Sequence, residues 1–341
     1  MNSNAVRKSL TRQRQRLAVT IALLSLSVVA LCLLALMVGT KFYSPQTVIQ
    51  VLSGKTIKGA SFAVGTLRLP RMLAGLLAGV AFGIAGSTFQ TILRNPLASP
   101  DIIGVTAGSS TAAVFCLLVL GQSRSMASFA AVLFGLLISM LIYFLSKGGH
   151  FSGGRLILIG IGIQAMLNSV IHYMLLKASQ YDVPSAMRWL SGSLNTIQMS
   201  QLPLLVVAVV LFGTVIVGLS RVLSILELGE HSAISLGVRT DLVRLLLIGS
   251  AVCLLAFATA VTGPISFVAF LSGPIAKRLV GSGLPHLIPA GLVGAVLVLT
   301  ADFIGQFALG LKLPAGVITG ILGAPYLLTL LIRMNRSGGT A

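Results

Sequence analysis

Long apolar runs separated by short polar stretches follow one another along nearly the whole chain. Each run holds about 20 residues, enough for a helix that crosses a hydrocarbon layer of ~30 Å. Charged residues, glycine and proline bound the runs. The pattern predicts an all-α polytopic membrane protein with ten spans, at 17–38, 69–93, 102–121, 126–146, 155–176, 202–221, 244–262, 264–280, 287–309 and 314–333.

These runs form a single predicted transmembrane domain, residues 17–333, between a basic tail (1–16) and a short tail (334–341). The first run is too long for a signal-peptide core and lacks a convincing small-residue cleavage site, so we expect it to remain as the first span. The eighth run, GPISFVAFLSGPIAK, is short and interrupted by prolines.

Composition agrees with a membrane protein, because 56% of the 341 residues are hydrophobic and only 9% are charged. The formal net charge is +18, but the basic residues are spread over short loops, which argues against nucleic-acid binding. Cys32, Cys116 and Cys253 lie inside apolar runs and are interpreted as packing residues.

The distribution of basic residues predicts the orientation. With the amino terminus inside, fifteen of the 24 lysines and arginines lie on the inner side, so both termini are predicted to be cytoplasmic. The outer side then carries nine basic residues and, of the acidic ones, only Asp182 and Asp302. This positive outer face suits either an acidic partner or lipid phosphate. Its basic residues are Lys41, Lys55, Lys58, Arg68, Arg71, Arg124, Lys177, Arg188 and Lys312.

No enzyme signature is found, so no catalytic residue is predicted. SGKT at 53–56 resembles the end of a phosphate-binding loop, but Ile49 occupies the position of its first glycine. No metal site is predicted either, since the four histidines lie in separate segments without carboxylate or cysteine neighbours: His150, His172, His231 and His286.

Three local patterns indicate packing or contact surfaces. Gly75, Gly79 and Gly83 recur every fourth residue and predict a close helix–helix approach. Gln164, Asn168 and His172 recur at the same spacing and predict a polar stripe, which either lines a pathway or bonds to a neighbouring helix. The charged loop 222–243 contains a short predicted helix after Gly229, interpreted as a docking element for a soluble partner or as a connector.

Four longer motifs follow one another along the chain: RLPRMLAGLLAGVAFGIAGSTFQTILRNPLASPDIIGVTAGSS, LELGEHSAISLGV, GPISFVAFLSGPIAKRL and LPAGVITGILGAPYLLTLL. In this order they resemble the FecCD-type permease subunits of ABC importers for iron-siderophores, haem and cobalamin. The resemblance covers about residues 17 to 333, and RLILIGIGIQAML is most similar to the ferric-enterobactin type.

This resemblance implies a type II ABC importer permease fold in the cytoplasmic membrane of a bacterium. Such a subunit pairs with a second permease, identical or paralogous, and binds no cofactor itself. Two cytoplasmic ATPases use ATP and Mg, and an extracytoplasmic binding protein delivers the substrate. The expected substrate is a ferric siderophore. Cobalamin or haem is the alternative, and an ion-coupled secondary transporter is a further one.

The resemblance also implies roles for individual residues. Arg68 and Arg71 match positions that receive acidic residues of the binding protein, Asn95 and Leu97 match one layer of a cytoplasmic gate, and Gly153 and Gly154 match a second layer. The segment that matches the coupling helix, which sits in a groove of the ATPase, includes Leu228, Gly229, Glu230, Ala233, Leu236, Gly237 and Val238.

The chain departs from the family pattern at several of these positions. Gln306 stands where some relatives carry a third docking arginine, and Lys312 replaces a frequent glutamate; both belong to the predicted docking set. Gly273-Pro274 replaces the usual Pro-His, and Gly153-Gly154 lacks the hydroxyls of some members.

Overall fold

The computed structural model describes residues 3–147, 153–281, 284–308, 310 and 312–336. Helices joined by turns make up this part of the chain, which confirms the all-α prediction. The α-helices are α1 (Ser3–Met37), α2 (Pro45–Leu52), α3 (Leu69–Ile92), α4 (Val105–Val114), α5 (Arg124–Ser146), α6 (Gly153–Lys177), α7 (Val183–Leu190), α8 (Leu202–Gly218), α9 (Ser220–Glu227), α10 (Glu230–Ser235), α11 (Thr240–Thr262), α12 (Val268–Val280), α13 (Leu287–Phe307) and α14 (Ala315–Arg336).

Within the described ranges, eight helical stretches are long and apolar enough to cross a membrane. They match eight of the ten predicted runs. The third predicted run forms a shorter apolar helix, Val105–Val119, and the eighth forms α12, whose 13 residues span only ~20 Å. The number of spans therefore stays a prediction for these two segments. The eight stretches are Thr11–Met37, Ser61–Ile92, Arg124–Ser146, Gly153–Lys177, Met199–Gly218, Thr240–Thr262, Leu287–Phe307 and Ala315–Ile332.

The short length of α12 has a local cause. Gly263 and Phe267 both have positive φ angles, 72° and 65°, which interrupt the helical path between α11 and α12. Non-helical backbone at membrane depth needs protein rather than lipid around it. The segment meets this requirement, because Ile265 is buried and the Thr262 hydroxyl donates a hydrogen bond of 2.8 Å to the Gly263 carbonyl.

The second predicted span begins earlier than expected. A π-helical segment, Ser61–Arg68, runs directly into α3, so the continuous helix extends from Ser61 to Ile92 rather than starting at 69. Arg68 and Arg71 therefore lie within a helix and not at its first turn.

Helix α3 is the centre of the bundle and packs against α8, α11, α12 and α13. Its glycine face allows direct backbone contact, as predicted. A Cβ atom built on Gly79 would lie 2.6 Å from the Cα of Ala295, and one on Gly83 would overlap the Ala290 carbonyl. Both neighbouring atoms belong to the backbone of α13. The face is therefore a structural contact between α3 and α13.

Hydrogen bonds between elements far apart in the chain identify the two ends of the bundle. At one end, the Arg16 side chain donates hydrogen bonds to the carbonyls of Arg278 and Leu279, and Arg94 donates one to the Leu226 carbonyl. We call this the α10 end, because α9 and α10 lie there. At the other, the Arg71 end, α3 enters the bundle and α14 begins.

Helix α14 runs from the Arg71 end to the α10 end. Near its start, the Gly316 amide donates a 3.1 Å hydrogen bond to the Gly192 carbonyl, and near its finish Leu330 packs in a cluster with Leu97. Arg16 of α1 and Leu330 of α14 thus lie at the same end of the bundle.

Candidate functional site

A groove of about 730 Å³ opens at the Arg71 end. It lies between the end of α1, the π-helical segment, α3, the segment before α8 and α13. It brings together all four residues of the predicted docking set, together with an acidic residue that was not in that set. The residues that matter for its chemistry are Arg68, Arg71, Asn195, Asp302, Phe303, Gln306, Phe307 and Lys312.

Arg71 forms a two-pronged ion pair with Asp302. Its Nε and one terminal nitrogen each lie 2.7 Å from a carboxylate oxygen, and the other terminal nitrogen donates to the Asn195 side-chain oxygen. Gln306 donates a further hydrogen bond of 2.9 Å to Asp302. The side chains of Arg71 and Asp302 are only 16% and 9% exposed. Asp302 therefore holds Arg71 and Gln306, two of the predicted docking residues, within the protein.

Arg68 is also held by its own chain. Its guanidinium donates hydrogen bonds of 2.7 to 2.9 Å to the carbonyls of Leu36, Met37 and Lys41, and it lies 5.0 Å from the centre of the Tyr43 ring. These contacts fix the end of α1 against the π-helical segment. Arg68 caps the exposed carbonyls of a helix end, as cationic side chains commonly do.

Removal of the Asp302 charge tests whether this ion pair supports the fold. We expect Asp302→Asn to lower the free energy of unfolding by up to about 3 kcal/mol, because it leaves a largely buried guanidinium without its counter-ion. Thermal unfolding of the purified protein in detergent measures this effect.

The double variant Arg71→Met/Asp302→Leu is the matched control, because it removes both charges and keeps apolar volume. It is expected to recover most of the lost stability. Wild-type stability in Asp302→Asn would contradict a structural role for the pair.

The predicted gate residues lie in the turn after α3. Arg94 has a φ of 49°, and the Asn95 side chain accepts a hydrogen bond of 2.9 Å from the Leu97 amide. Gln90 fixes this turn to α12, because its amide nitrogen lies 3.0 Å from the Pro96 carbonyl and 2.9 Å from the Phe270 carbonyl. Leu97 packs beside Phe270 and α14.

The second predicted gate layer lies at the start of α6. A Cβ atom on Gly153 would lie 3.0 Å from a methyl carbon of Leu93, the first residue after α3, and Gly154 is exposed. Gly153 therefore approaches the same turn that carries Asn95 and Leu97. The gating role itself stays a prediction.

The predicted coupling segment forms α10 between two glycines with positive φ, Gly229 at 124° and Gly237 at 80°. Ala233 is completely buried against the bundle, whereas three large apolar side chains point outward: Leu228 is 70% exposed, Ile234 55% and Leu236 64%. A helix between two spans with this much exposed apolar surface is suited to contact another protein.

Two ion pairs connect α10 and the preceding helix α9 to the bundle. Glu230, in the first turn of α10, lies 3.4 Å from Arg244 of α11, and Glu227, the last residue of α9, lies 2.7 Å from Lys277 of α12. His286 lines a cavity of about 280 Å³ beside the second pair, and burial of its imidazole lowers its pKa. The pairs therefore join α10 to α11 and α9 to α12.

The polar stripe lies along an outer side of α6. Leu156, Ile163 and Leu167 pack against the main core, while Gln164 is half-buried and Asn168 and His172 are exposed. Val183, the first residue of α7, follows this helix across a short turn. Polar groups at membrane depth require water or a polar partner, so this side of α6 is not suited to lipid.

Sequence reasoning missed the partners that hold these residues in place. Asp302 was noted only as an acid near the outer face, and Asn195 and Gln90 were not singled out. The spacing of Asp302 and Gln306, four residues apart on one helix, is a signal that could have indicated their contact. No local signal links Asp302 to Arg71, because 231 positions separate them.

A profile of the FecCD transport family matches residues 26–333. The chain belongs to the FecCD transport family. Among its relatives, the ferric enterobactin transport system permease protein FepG of Escherichia coli (strain K12) is 36% identical; the match covers 94% of this chain and 98% of FepG. The Fe(3+)-citrate import system permease protein YfmE of Bacillus subtilis (strain 168) is 32% identical, over 95% of this chain and 98% of YfmE.

The structural comparison agrees with FecCD membership. A solved structure described as a metal-chelate type ABC transporter in an inward-facing conformation superposes with a TM-score of 0.82 at 27% identity, covering 92% of this chain and 98% of that one. The protein is therefore a helical membrane protein of a family of ABC transporter permease subunits.

Proposed function

We propose that this FecCD-family protein translocates ferric siderophores across the cytoplasmic membrane of a bacterium, as the permease of an ABC importer. The observation that carries the proposal is the presence of two contact surfaces at opposite ends of one membrane bundle. One is the exposed apolar surface of α10, and the other is the basic groove at the Arg71 end. An importer that takes substrate from one protein and energy from another needs both.

The orientation follows from the basic residues. We place the α10 end in the cytoplasm, because fifteen of the 24 lysines and arginines are predicted on that side, where Arg16 of α1 and Leu330 of α14 lie. The complete topology then has ten spans, with α4 and α12 as the two short ones. The groove at the Arg71 end faces outward, where an extracytoplasmic binding protein docks.

Transport then proceeds by alternating access between two permease subunits. A partner ATPase that binds ATP moves α10, and the ion pairs from Glu227 and Glu230 pass this movement to α12 and α11. The turn at Asn95 and the start of α6 at Gly153 form the inner closure. The permease performs no bond chemistry; its partners shift the equilibrium between its two states.

The substrate class rests on the relatives. Ferric enterobactin and Fe(3+)-citrate permeases match along nearly the whole chain, and an achromobactin permease of Dickeya dadantii (strain 3937) is 35% identical. The polar stripe on α6 has no strongly charged side chain, which suits the passage of a bulky chelate without tight binding. An ion-coupled mechanism receives less support, because the carboxylate of Asp302 is paired with Arg71.

Uptake into proteoliposomes tests this function. The protein is reconstituted with its partner permease, ATPase and binding protein, and labelled ferric siderophores, haem and cobalamin are offered in parallel. We expect ATP-dependent uptake of a ferric siderophore and none with an ATPase variant that cannot hydrolyse ATP. Preferential uptake of haem or cobalamin would replace the proposed cargo, and uptake that follows an ion gradient without ATP would refute the proposed mechanism.

The stripe on α6 is tested by thiol accessibility. We expect Asn168→Cys, in a background where Cys32, Cys116 and Cys253 are serine, to react with a membrane-impermeant thiol reagent in the assembled importer, because Asn168 faces water. Met166→Cys is the matched control on the apolar side of the same helix, where 70% of the side chain is exposed, and it is expected to be unreactive. An unreactive Asn168→Cys would indicate an interhelical contact instead of a pathway.

A further inference from the structure

We propose that Arg124 and Arg188, together with the indole N–H of Trp189, form a binding site for a phosphate group at the Arg71 end of the bundle. The phosphate belongs to a phospholipid headgroup or is free inorganic phosphate. None of these three residues lines the groove described above. The site is independent of the proposed cargo and requires only that the bundle spans a membrane.

Arg124, the first residue of α5, has no counter-ion in its own chain. The residue is only partly exposed, and its Nε is buried without a hydrogen-bond acceptor among the described residues. The ion pairs in the described part of the chain all involve other residues. A guanidinium that loses water without gaining a partner is unfavourable. Its surroundings therefore suit an anion that comes from outside the chain.

A second arginine adds to this cost. Arg188, on α7, is exposed and lies near enough to Arg124 for the two positive charges to repel each other. Asp182, the acid directly before α7, is also exposed and forms no ion pair among the described residues. Two neighbouring guanidiniums without a carboxylate suit a phosphate, because their planar sets of N–H groups match its oxygens.

Two further donors lie at the same contact between α5 and α7. Trp189 directly follows Arg188, is only 3% exposed, and belongs to a buried cluster that includes Ala127 of α5. Its Nε1 has no acceptor among the described residues, and the buried hydroxyl of Ser128, one turn along α5 from Arg124, has no partner there either. Buried donors in proteins almost always have an acceptor. The oxygens of one phosphate group supply acceptors for this region.

The position of the site places it at the depth of lipid headgroups. The membrane-spanning stretch Arg124–Ser146 begins at the first of the two arginines, so this residue marks the membrane surface. Further along the same helix, Phe129 and Leu133 are 67% and 60% exposed, which suits contact with lipid chains. A phospholipid beside α5 therefore brings its phosphate to the level of Arg124. Inorganic phosphate offers the same charged group without the chains.

A bound phosphate joins α5 to α7 across two charges that otherwise repel each other. The arginines are therefore expected to lower stability when phosphate is absent and to raise it when phosphate is bound. An arginine that only packs within the chain would raise stability in both conditions. This difference in sign separates a binding site from a purely structural contact.

The test is thermal unfolding of the whole purified protein after delipidation, in detergent and phosphate-free buffer. The probes are dioctanoyl-phosphatidylglycerol and inorganic phosphate, and dioctanoylglycerol, which has the same chains and no phosphate, is the ligand control. The variants are Arg124→Gln and Arg188→Gln. Lys177→Gln is the matched control, because Lys177 is an exposed cation at the end of α6 on the same predicted face. Trp189 is the single tryptophan of the chain, so its fluorescence reports directly on the site.

Without phosphate, we expect both arginine variants to unfold at or slightly above the wild-type temperature. Dioctanoyl-phosphatidylglycerol is expected to raise the wild-type unfolding temperature by several degrees and to shift the emission of Trp189. Either arginine variant is expected to need at least about tenfold more of it for the same effect, whereas Lys177→Gln responds like the wild type. The same response to inorganic phosphate would identify the free anion as a sufficient ligand, and a response to the lipid alone would identify the headgroup.

Four results would overturn the site. One is an equal response of the wild type to dioctanoylglycerol, which would assign the effect to the lipid chains. The second is an undiminished response to both phosphate probes in Arg124→Gln and Arg188→Gln. The third is a lower unfolding temperature of these variants that is the same with and without phosphate, which would assign the arginines to packing within the chain. The fourth is an unchanged emission of Trp189 at saturating concentrations of both phosphate probes.

Discussion

Gly83→Leu is expected to prevent the accumulation of folded protein. A Cβ atom added at Gly83 would overlap the Ala290 carbonyl of α13. One added at Gly79, a turn earlier on α3, would also meet the backbone of α13. Backbone atoms cannot rotate away as a side chain can, so α3 and α13 must separate. Because α3 also packs against α8, α11 and α12, we expect a loss of at least about 3 kcal/mol in unfolding free energy. The measurement is the yield of monodisperse protein after detergent extraction.

Gly249→Leu is the matched control for this prediction. Gly249 lies on α11, another central helix, but it is exposed and a Cβ atom there would meet nothing within 4 Å. This variant is expected to be extracted and to unfold like the wild type. Normal yield and stability of Gly83→Leu would show that α3 and α13 are not packed backbone to backbone.

Leu236→Asp is expected to abolish ATP-driven uptake without unfolding the protein. Leu236, the residue directly after α10, is 64% exposed and is surrounded by solvent in the isolated chain, so the aspartate costs little stability there. In the assembled importer the same position is expected to be buried against the ATPase, where an unpaired charge is unfavourable. We expect association with the ATPase to weaken by at least about thirtyfold, as for a central interface residue.

Co-purification of the ATPase and uptake into proteoliposomes both measure this effect. Ser224→Asp introduces the same charge at an exposed position of α9, outside the segment 228–238, and is expected to leave both readouts unchanged. Ala233→Leu is a second comparison, because Ala233 is completely buried and its enlargement should lower stability as well. Coupled uptake at the wild-type rate in Leu236→Asp would refute the assignment of α10 as the ATPase contact.

The sequence predicted most of the helices because a membrane span is defined by local composition. Eight runs of about 20 apolar residues correspond to long helices of the structure. The boundaries were less accurate where backbone geometry decides them. The interruption at Gly263 and Phe267, which shortens α12, depends on buried surroundings that no local pattern specifies. The π-helical start at Ser61 was missed for the same reason.

In the candidate sites, too, local features could be predicted from the sequence, whereas features that depend on surrounding residues could not. Motif order placed α10 and its flanking glycines correctly, because a turn with positive φ favours glycine whatever surrounds it. The sequence motif predicted the same role for Ala233 and Leu236, as members of one coupling segment. The structure separates them, since one is buried against the bundle and the other is exposed.

The sequence alone determined the all-α membrane class and the close contact through the glycine face of α3. It also carried the resemblance to a family whose membership the comparisons then established. Each of these depends on residues that are near one another in the chain. Only the tertiary structure decided which cation of the groove is paired with an acid of its own chain. Arg71 and Lys312 carry the same formal charge, but the folded bundle places Asp302 against Arg71 and leaves Lys312 exposed. Pairing between residues so far apart in the chain is set by how α3 packs against α13.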